Sequence, residues 1–295
     1  FAGLGSEIVL FERQKRLLPK EDTAVGQHLE NNFKANGITT LLNCQDLRLE
    51  PATDTHGIQI DIRQNGANSQ WKVDQLLVAT GRTANTDRLQ LPNAGVKYGH
   101  SGIQVNQFLQ TSNPNIYAGG DVCSGSQYTS IADRHARIIV QNALFAVGPF
   151  GRKSTTGLHI PRTTYTSPEV AQIGITEDAA IERGVPYDCY QQDLSSLDRT
   201  QLGGSPAGYI KVLTQPGKDR ILGVTVVCEA AGELINLAAF ALSQGHGLRK
   251  LGTIIFPYPS FSDAYQRLSD QVSRQKLTPF TRRLLDLFKW INVGR

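Results

Sequence analysis

Hydrophobic and polar positions in the first third of the chain predict alternating strands and helices. In order, the pattern predicts a strand, a helix, a strand, an antiparallel meander and a buried strand. These elements fall at residues 7–11, 21–37, 38–42, 45–73 and 73–82. Val25, Leu29 and Phe33 recur at four-residue spacing before Gly37, which indicates where the helix lies and ends. The order is typical of a partial Rossmann-like unit without its first strand and glycine-rich turn, so we expect the chain to begin inside a fold.

Two further regions with different patterns follow this unit. The first combines a predicted strand at residues 115–122 (NIYAGGDV) with a helix at 130–145, and glycines around Pro149 indicate a linker. The second is an α+β region. Its predicted strands and helices fall at residues 163–175, 186–193, 208–215 and 221–227, and at 176–184 and 231–245. The predicted fold class is therefore α/β plus α+β.

Composition excludes several classes of function. The 295 residues carry a net charge of +4 with no basic stripe, so nucleic acid is not an expected partner. No apolar run has the length of a membrane span, and no secretory signal opens the chain. The four cysteines are too far apart for a redox pair or a zinc site, which favours a reducing compartment. The six histidines show no metal-ligand spacing, so no metal site is predicted.

A glycine pair followed by a carboxylate, Gly119-Gly120-Asp121, ends the predicted strand at 115–122. Ligands of open α/β sheets lie beyond the carboxyl ends of strands, and glycines there allow a backbone to approach a ligand closely. Asp121 could accept hydrogen bonds from ribose or ribityl hydroxyls. The alternative is a turn in which the aspartate serves as a cap.

Four segments in one order identify a family. They are residues 76–86 (LLVATGRTANT), 111–122 (TSNPNIYAGGDV), 164–180 (TYTSPEVAQIGITEDAA) and 220–242 (RILGVTVVCEAAGELINLAAFAL). Together they closely resemble the class I pyridine nucleotide-disulfide oxidoreductases, which include glutathione reductase, dihydrolipoyl dehydrogenase and mercuric reductase. The resemblance covers nearly the whole chain, corresponds to the C-terminal three-fifths of such an enzyme, and is strongest to the mercuric reductase type.

The resemblance implies a cytoplasmic, FAD-dependent enzyme that uses NAD(P)H and acts as a homodimer on a small-molecule or metal-ion substrate. It also implies that the chain contains parts of three domains. Residues 1–84 would end the NAD(P)H-binding domain, residues 85–156 would end the FAD-binding domain, and residues 157–295 would form the dimerisation domain.

Cofactor-binding residues follow from the same resemblance. Gly120 and Asp121 would bind the ribityl side of FAD, and the helix that begins near Thr129 and Ala132 would direct its N-terminal dipole at the flavin. Gly81 and Arg82 would bind NAD(P)H, at the crossover from the NAD(P)H domain to the FAD domain.

The choice of nicotinamide depends on the residue after the first predicted strand. Glu12 occupies that position, and a carboxylate there binds the ribose diol of NADH and repels the 2′-phosphate of NADPH. We therefore expect NADH. Arg13, Lys15 and Arg16 could instead attract that phosphate, or could form a solvated charged run.

The resemblance also places the catalytic acid–base pair. Disulfide reductases of the family carry a His and a Glu here, and Tyr258 and Asp263 occupy those positions. A phenol shuttles protons poorly near neutral pH, which argues against ordinary disulfide reduction. Mercuric reductases have Phe-Pro-Tyr here, matched by residues 256–258, and the tyrosine would border the metal substrate. Leu197 and Arg199 resemble the same enzymes; the alternative is that Tyr258 only packs at a subunit interface.

The tail departs from mercuric reductases, which end in a cysteine pair suited to a soft metal ion. Apolar residues at helical spacing and neighbouring basic residues predict an amphipathic helix over 280–291. They are Phe280, Leu284, Leu287, Phe288 and Ile291, with Arg282, Arg283 and Lys289. Packing on its own subunit or on its dimer mate is the favoured interpretation, and contact with a membrane surface is the alternative.

Three parts of the family's machinery do not occur in this sequence: the GxGxxG of the FAD domain, the CxxxxC redox pair and the GxGxxG of the nicotinamide domain. Two hypotheses follow. The chain is part of a longer flavoenzyme that passes electrons from NAD(P)H to mercuric ion or a disulfide-like substrate. Alternatively, it is a truncated, non-catalytic dimerisation module of the same family.

Overall fold

The structure is a computed structural model in which two compact units can be distinguished. One unit comprises Phe1–Leu76 and Pro161–Arg295, and the other comprises Leu77–Ile160. The described residues are 1–52, 57–123, 125–204, 208–275, 283, 285, 286 and 288–291.

The N-terminal part of the first unit contains two small sheets and one helix. Strands β1 (Val9–Phe11) and β2 (Thr39–Leu41) pair in parallel, and α1 (Thr23–Ala35) connects them. Strands β3 (Cys44–Pro51), β4 (Ile58–Gln64) and β5 (Ala67–Val73) form an antiparallel sheet in that order. The first strand, the helix, the second strand and the meander are therefore as predicted.

The predicted buried strand at 73–82 is wrong. β5 ends at Val73, residues 74–81 contain no strand, and Leu77 and Val78 are 75% and 69% exposed. A strand needs a neighbour to satisfy its N–H and C=O groups. In the described part of the chain, no strand pairs with this segment.

The second unit is built around one helix and has little sheet. Strands β6 (Tyr98–Gly99) and β7 (Gly102–Ile103) form a two-stranded sheet. The helix α2 (Thr129–Val140) continues as a π-helical turn over Gln141–Phe145, so the predicted helix at 130–145 is confirmed.

The predicted strand at 115–122 is also wrong. Its pairing among the described residues is one antiparallel bridge from Tyr117 to Gln110, and Gly120–Val122 form a 3₁₀ turn. A single bridge satisfies too few backbone groups to hold an extended strand.

The C-terminal part of the first unit contains a five-stranded antiparallel sheet. The order across the sheet is β10, β11, β12, β9, β8. The strands are β8 (Arg162–Thr164), β9 (Glu169–Gly174), β10 (Asp188–Asp193), β11 (Tyr209–Thr214) and β12 (Ile221–Cys228). All fall within predicted strands or extend them by one residue; the prediction at 163–175 is split in two around Pro168, which has no N–H to donate.

Between residues 161 and 275, five helices of the described residues accompany this sheet. They are α3 (Glu177–Glu182), α4 (Asp198–Gly203), α5 (Ala231–Ser243), α6 (Leu248–Leu251) and α7 (Asp263–Gln275). One face of the sheet packs with α5, α6 and α7 into the largest hydrophobic core, where Tyr265 is fully buried and donates a hydrogen bond to the Leu234 carbonyl, 2.9 Å away. Sequence analysis did not predict α7, although Tyr265, Leu268 and Val272 recur at helical spacing.

The other face of the sheet packs against α1 through Val25 and Leu29, which share a buried apolar cluster with Val170 and Val227. A largely buried group of charges lies beside them, which we name the Lys211 cluster: Lys211, Asp22 and Glu177. Lys211 Nζ lies 2.6 Å from Asp22 Oδ2 and 2.7 Å from Glu177 Oε2. Burial alone would lower the pKa of Lys211, but hydrogen bonds to both carboxylates raise it. Burial raises the pKa of Glu177, and the Lys211 hydrogen bond and charge lower it by more. Lys211 and Glu177 therefore both stay charged inside the unit.

The end of the chain is described in part. In the predicted tail helix at 280–291, four of the named residues lie outside the described residues: Phe280, Arg282, Leu284 and Leu287. Arg283, Asp286 and their described neighbours are helical. Four apolar residues of this stretch are at least half exposed: Leu285, Phe288, Trp290 and Ile291. Of the helices in the described residues, none is long and apolar enough to cross a membrane.

Candidate functional site

The Gly119-Gly120-Asp121 turn lies directly against helix α2. Gly120 has a φ of +75°, and a Cβ added there would lie 2.9 Å from the Cβ of Ala132. A Cβ on Gly119 would lie 3.0 Å from Ile139 Cδ1. Gly120 is thus required by its positive φ and by the close approach of the helix, and Gly119 packs tightly against the same helix; this reason differs from the expected approach of a ligand.

Asp121 faces a cleft of about 410 Å³ in the second unit. The cleft is lined by Arg82, Thr83, Ala84, Asn85, Asp121, Val122 and Gln127. The carboxylate of Asp121 is exposed, and it has no hydrogen bond or ion pair to another described residue, so it does not act as a cap there. It is free to accept hydrogen bonds from a ligand.

Two other predicted residues lie close to this turn in sequence and structure. Thr129 is the first residue of α2 and is exposed, and Ala132 is the residue on which Gly120 packs. Arg82, predicted as a nicotinamide residue, lines the same cleft as Asp121. Gly81 precedes Arg82 and has a positive backbone φ of +139°.

His135 supports the turn and was not predicted as a site residue. Its Nδ1 accepts a hydrogen bond from the backbone N–H of Gly120, 3.1 Å away. Burial lowers the pKa of His135, so the imidazole stays neutral and keeps that acceptor. Ile131, His135 and Ile138 share the buried face of α2, and this spacing was the signal in the sequence.

Glu12 belongs to the other unit and follows β1 directly. Its Oε1 accepts a hydrogen bond from the Gln14 N–H at 2.8 Å. Of the three basic residues considered for NADPH, Arg13 and Lys15 are exposed. Arg16 is engaged within the unit, because its guanidinium lies 3.1 Å from Asp178 Oδ2 and donates to two backbone carbonyls.

Tyr258 is 80% exposed, and its phenol is held by one carboxylate. The hydroxyl donates to Asp198 Oδ2, 2.5 Å away. This hydrogen bond and the charge of Asp198 raise the pKa of Tyr258, and the charge of Asp263 adds to the effect. The phenol therefore keeps its proton at neutral pH and cannot act as an imidazole-like base.

Asp263, the other member of the predicted pair, begins α7. Its Oδ2 accepts from Arg267 Nε at 3.1 Å, an ion pair one helical turn apart. Sequence analysis missed Asp198 and Arg267. Asp198 lies between Leu197 and Arg199, both of which the resemblance had singled out, so the correct segment had been found.

The cysteines of this chain are not poised for redox chemistry. The four thiols are free, with Cys44 and Cys228 buried, Cys123 half-buried and Cys189 exposed. Burial is the main cause that raises the pKa of each, to about 12 for Cys228. Among the described residues, no three His, Cys, Asp or Glu side chains gather where they could hold a metal ion.

In comparisons with known proteins, two parts of this chain match models of one family. Residues 1–137 match the family model of pyridine nucleotide-disulphide oxidoreductase, and residues 160–269 match that of the pyridine nucleotide-disulphide oxidoreductase dimerisation domain. A mercuric reductase of Lysinibacillus sphaericus is 34% identical over 89% of this chain and 47% of its own length. A dihydrolipoyl dehydrogenase of Thermus scotoductus is 31% identical over 93% of this chain and 58% of its own length.

Solved structures agree with the sequence relatives. The HOCl-induced flavoprotein disulfide reductase RclA from Escherichia coli has a TM-score of 0.81 at 26% identity, over 91% of this chain and 60% of that chain. The chain spans about half the length of the curated relatives that it matches. The chain belongs to the class I pyridine nucleotide-disulfide oxidoreductase family.

Proposed function

We propose that this chain is part of an FAD-dependent oxidoreductase that passes electrons from NAD(P)H to a substrate beside Tyr258. The observation that carries the proposal is the exposed carboxylate of Asp121, which faces a cleft and has no partner among the described residues. In this proposal residues 1–84, 85–156 and 157–295 belong to the NAD(P)H-binding, FAD-binding and dimerisation domains.

The residues around Asp121 fit FAD. Asp121 would accept hydrogen bonds from ribityl hydroxyls, and the turn at Gly120 would hold the carboxylate at the edge of the cleft. Thr129 and Ala132 lie in the first turn of α2, where the positive end of the helix dipole favours negative charge. Bound FAD would accept a hydride from NAD(P)H and pass on two electrons.

The nicotinamide is proposed to be NADH. Glu12 keeps its second carboxylate oxygen available for a ribose diol while the first accepts from Gln14. Arg16, one of the three side chains that could have attracted a 2′-phosphate, is already paired with Asp178. Gly81 and Arg82 would contribute to nucleotide binding, and Arg82 lines the cleft described above.

We propose mercuric ion as the substrate that best suits Tyr258. Reduction of a disulfide follows NAD(P)H + H⁺ + RSSR → NAD(P)⁺ + 2 RSH, and it benefits from an acid–base group at the leaving thiol. Reduction of mercuric ion follows NAD(P)H + Hg²⁺ → NAD(P)⁺ + H⁺ + Hg⁰ and transfers no proton to the product. Tyr258 and Asp263 replace the acid–base pair, and the phenol stays protonated. A disulfide-like substrate is the less favoured candidate.

The active form is proposed to be a homodimer through residues 157–295. Apolar side chains of this region are exposed on the single chain, among them Leu202, Phe240 and Ile255. A subunit interface would bury side chains of this kind, and the match to a dimerisation domain supports a second copy. Free thiols suit the reducing cytoplasm as its location.

The experiment is an anaerobic titration of the protein isolated from its source, with its intact mass measured on the same sample. We expect a mass well above 32.3 kDa, bound flavin that is bleached by NADH, and recovery of the oxidised spectrum on addition of mercuric ion. A mass that matches these residues alone, with no flavin bound, would overturn the proposal in favour of the non-catalytic dimerisation module.

A further inference from the structure

A short hydrogen bond fixes the phenol of Tyr258 on the protein surface. The 2.5 Å between its hydroxyl and Asp198 Oδ2 is the length expected for a hydroxyl that donates to a carboxylate. Both residues are exposed, so the bond is not imposed by burial. An ionised carboxylate can only accept, and the shared proton therefore belongs to the phenol and is directed at Asp198.

The segment that carries this carboxylate is itself held at three points. Leu197 is buried in the main core. Arg267 Nη1 donates to the carbonyl and the hydroxyl oxygen of Ser196, both at 3.2 Å. The guanidinium of Arg199 lies over the ring of Phe261, 5.8 Å from its centre. These contacts fix the backbone on either side of Asp198, the residue that accepts the Tyr258 hydrogen bond.

We infer that Asp198 is a positioning residue, which holds Tyr258 by accepting the hydrogen bond from its hydroxyl, so that the phenol oxygen meets the substrate with lone pairs alone. The inference rests on the proposed function, in which Tyr258 borders the substrate. An oxygen in this state can contact a cation or accept a hydrogen bond, but it cannot protonate a leaving thiolate. The matching substrate class is a cation that takes two electrons and no proton.

The charge beside the phenol favours the same class of substrate. Two carboxylates, Asp198 and Asp263, act on the phenol of Tyr258. The nearby guanidinium groups are engaged elsewhere, Arg199 over the ring of Phe261 and Arg267 with Asp263 and Ser196. The negative charge and the direction of the Tyr258 hydrogen bond therefore both favour a cation over a disulfide.

The first test measures the hydrogen bond without any catalysis. Tyrosine labelled at Cζ is followed by NMR through a pH titration, and Tyr258→Phe identifies the resonance of Tyr258. Asp198→Asn should shift the titration of Tyr258 to lower pH, because the neighbouring charge is removed. Asp270→Asn, an exposed aspartate of α7, removes the same charge without contact to the phenol and should leave the titration unchanged. A Tyr258 titration that is the same in Asp198→Asn as in the parent would overturn the inference.

The second test uses the full-length flavoprotein and compares two substrates. In Asp198→Asn, reoxidation of the reduced protein by mercuric chloride should slow about tenfold, which corresponds to about 1.4 kcal/mol. Reoxidation by glutathione disulfide should slow by less, because an uncharged amide oxygen holds the phenol proton less firmly than the carboxylate does. An equal loss with both substrates would overturn the inference. A protein with no flavin that NAD(P)H can reduce would instead overturn the proposed function, and the NMR titration would still decide whether Asp198 holds Tyr258.

Discussion

Two places in the first unit use a carboxylate to hold a neighbour, and they differ in burial. In the Lys211 cluster, the side chains of Lys211 and Asp22 are 6% and 1% exposed. In the pair of Tyr258 and Asp198, both residues are exposed to solvent. The distances are similar, 2.6 Å and 2.5 Å.

The difference in burial separates structural from chemical roles. Removing one partner of a buried ion pair leaves an uncompensated charge away from water, and this costs about 3–5 kcal/mol. An exposed pair gains little from its attraction, about 0–1 kcal/mol. We therefore assign the Lys211 cluster to stability and the Tyr258–Asp198 pair to substrate contact, and each assignment can be tested by substitution.

The largest effect is expected for Lys211→Met, which keeps the length of the side chain and removes its charge. Asp22 would stay buried without its cation, so the free energy of unfolding should fall by about 3–5 kcal/mol. Denaturant unfolding measures this loss. Lys218→Met, at an exposed turn, is the control and should change stability by less than about 0.5 kcal/mol. Equal effects of the two variants would contradict the structural role of the cluster.

An intermediate effect is expected for Glu177→Gln, and it should depend on pH. The pKa of Glu177 is lowered in the folded state from its ordinary 4.5, although burial opposes the shift, because Lys211 donates to the carboxylate. The stabilisation is therefore fully present above pH 4.5 and is lost as the pH falls through the lowered folded-state pKa.

Unfolding curves over a range of pH measure this contribution. At neutral pH the parent should be more stable than Glu177→Gln by about 1–2 kcal/mol, since the hydrogen bond involves charged groups. The two stabilities should converge in acid. A difference that stays constant from neutral to acidic pH would show that the carboxylate charge is not responsible.

The smallest effect on stability is expected at the exposed pair. Tyr258→Phe and Asp198→Asn should each leave the free energy of unfolding close to that of the parent, because an exposed pair gains little from its attraction. The same denaturant measurement serves here. A loss of stability as large as that of Lys211→Met in either variant would mean that the pair is structural. It would contradict the assignment of the pair to substrate contact.

The five-stranded sheet could be predicted because its strands have an apolar pattern and pair with one another within this chain. Most helices could be predicted from the spacing of their apolar residues. Strands β9 to β12 each have a described neighbour and match the predicted segments. The strands predicted at 73–82 and 115–122 also rested on apolar runs, and both predictions were wrong. A local pattern cannot reveal whether a partner strand is present.

The candidate site could be predicted only in part, for a similar reason. Tyr258 and Asp263 were found from a motif, whereas Asp198 lies 60 residues from Tyr258 in sequence and is joined to it only by the fold. Likewise the glycines at 119 and 120 predicted a close approach to the backbone, but the sequence did not indicate that α2 is the element that approaches.

The most direct test of the account separates the two half-reactions of the full-length flavoprotein by stopped-flow in parent and Tyr258→Phe. We predict that flavin reduction by NADH is unchanged and that reoxidation by mercuric ion slows by about tenfold or more. If both half-reactions slow equally, or neither does, Tyr258 is not a substrate contact and the central claim is contradicted.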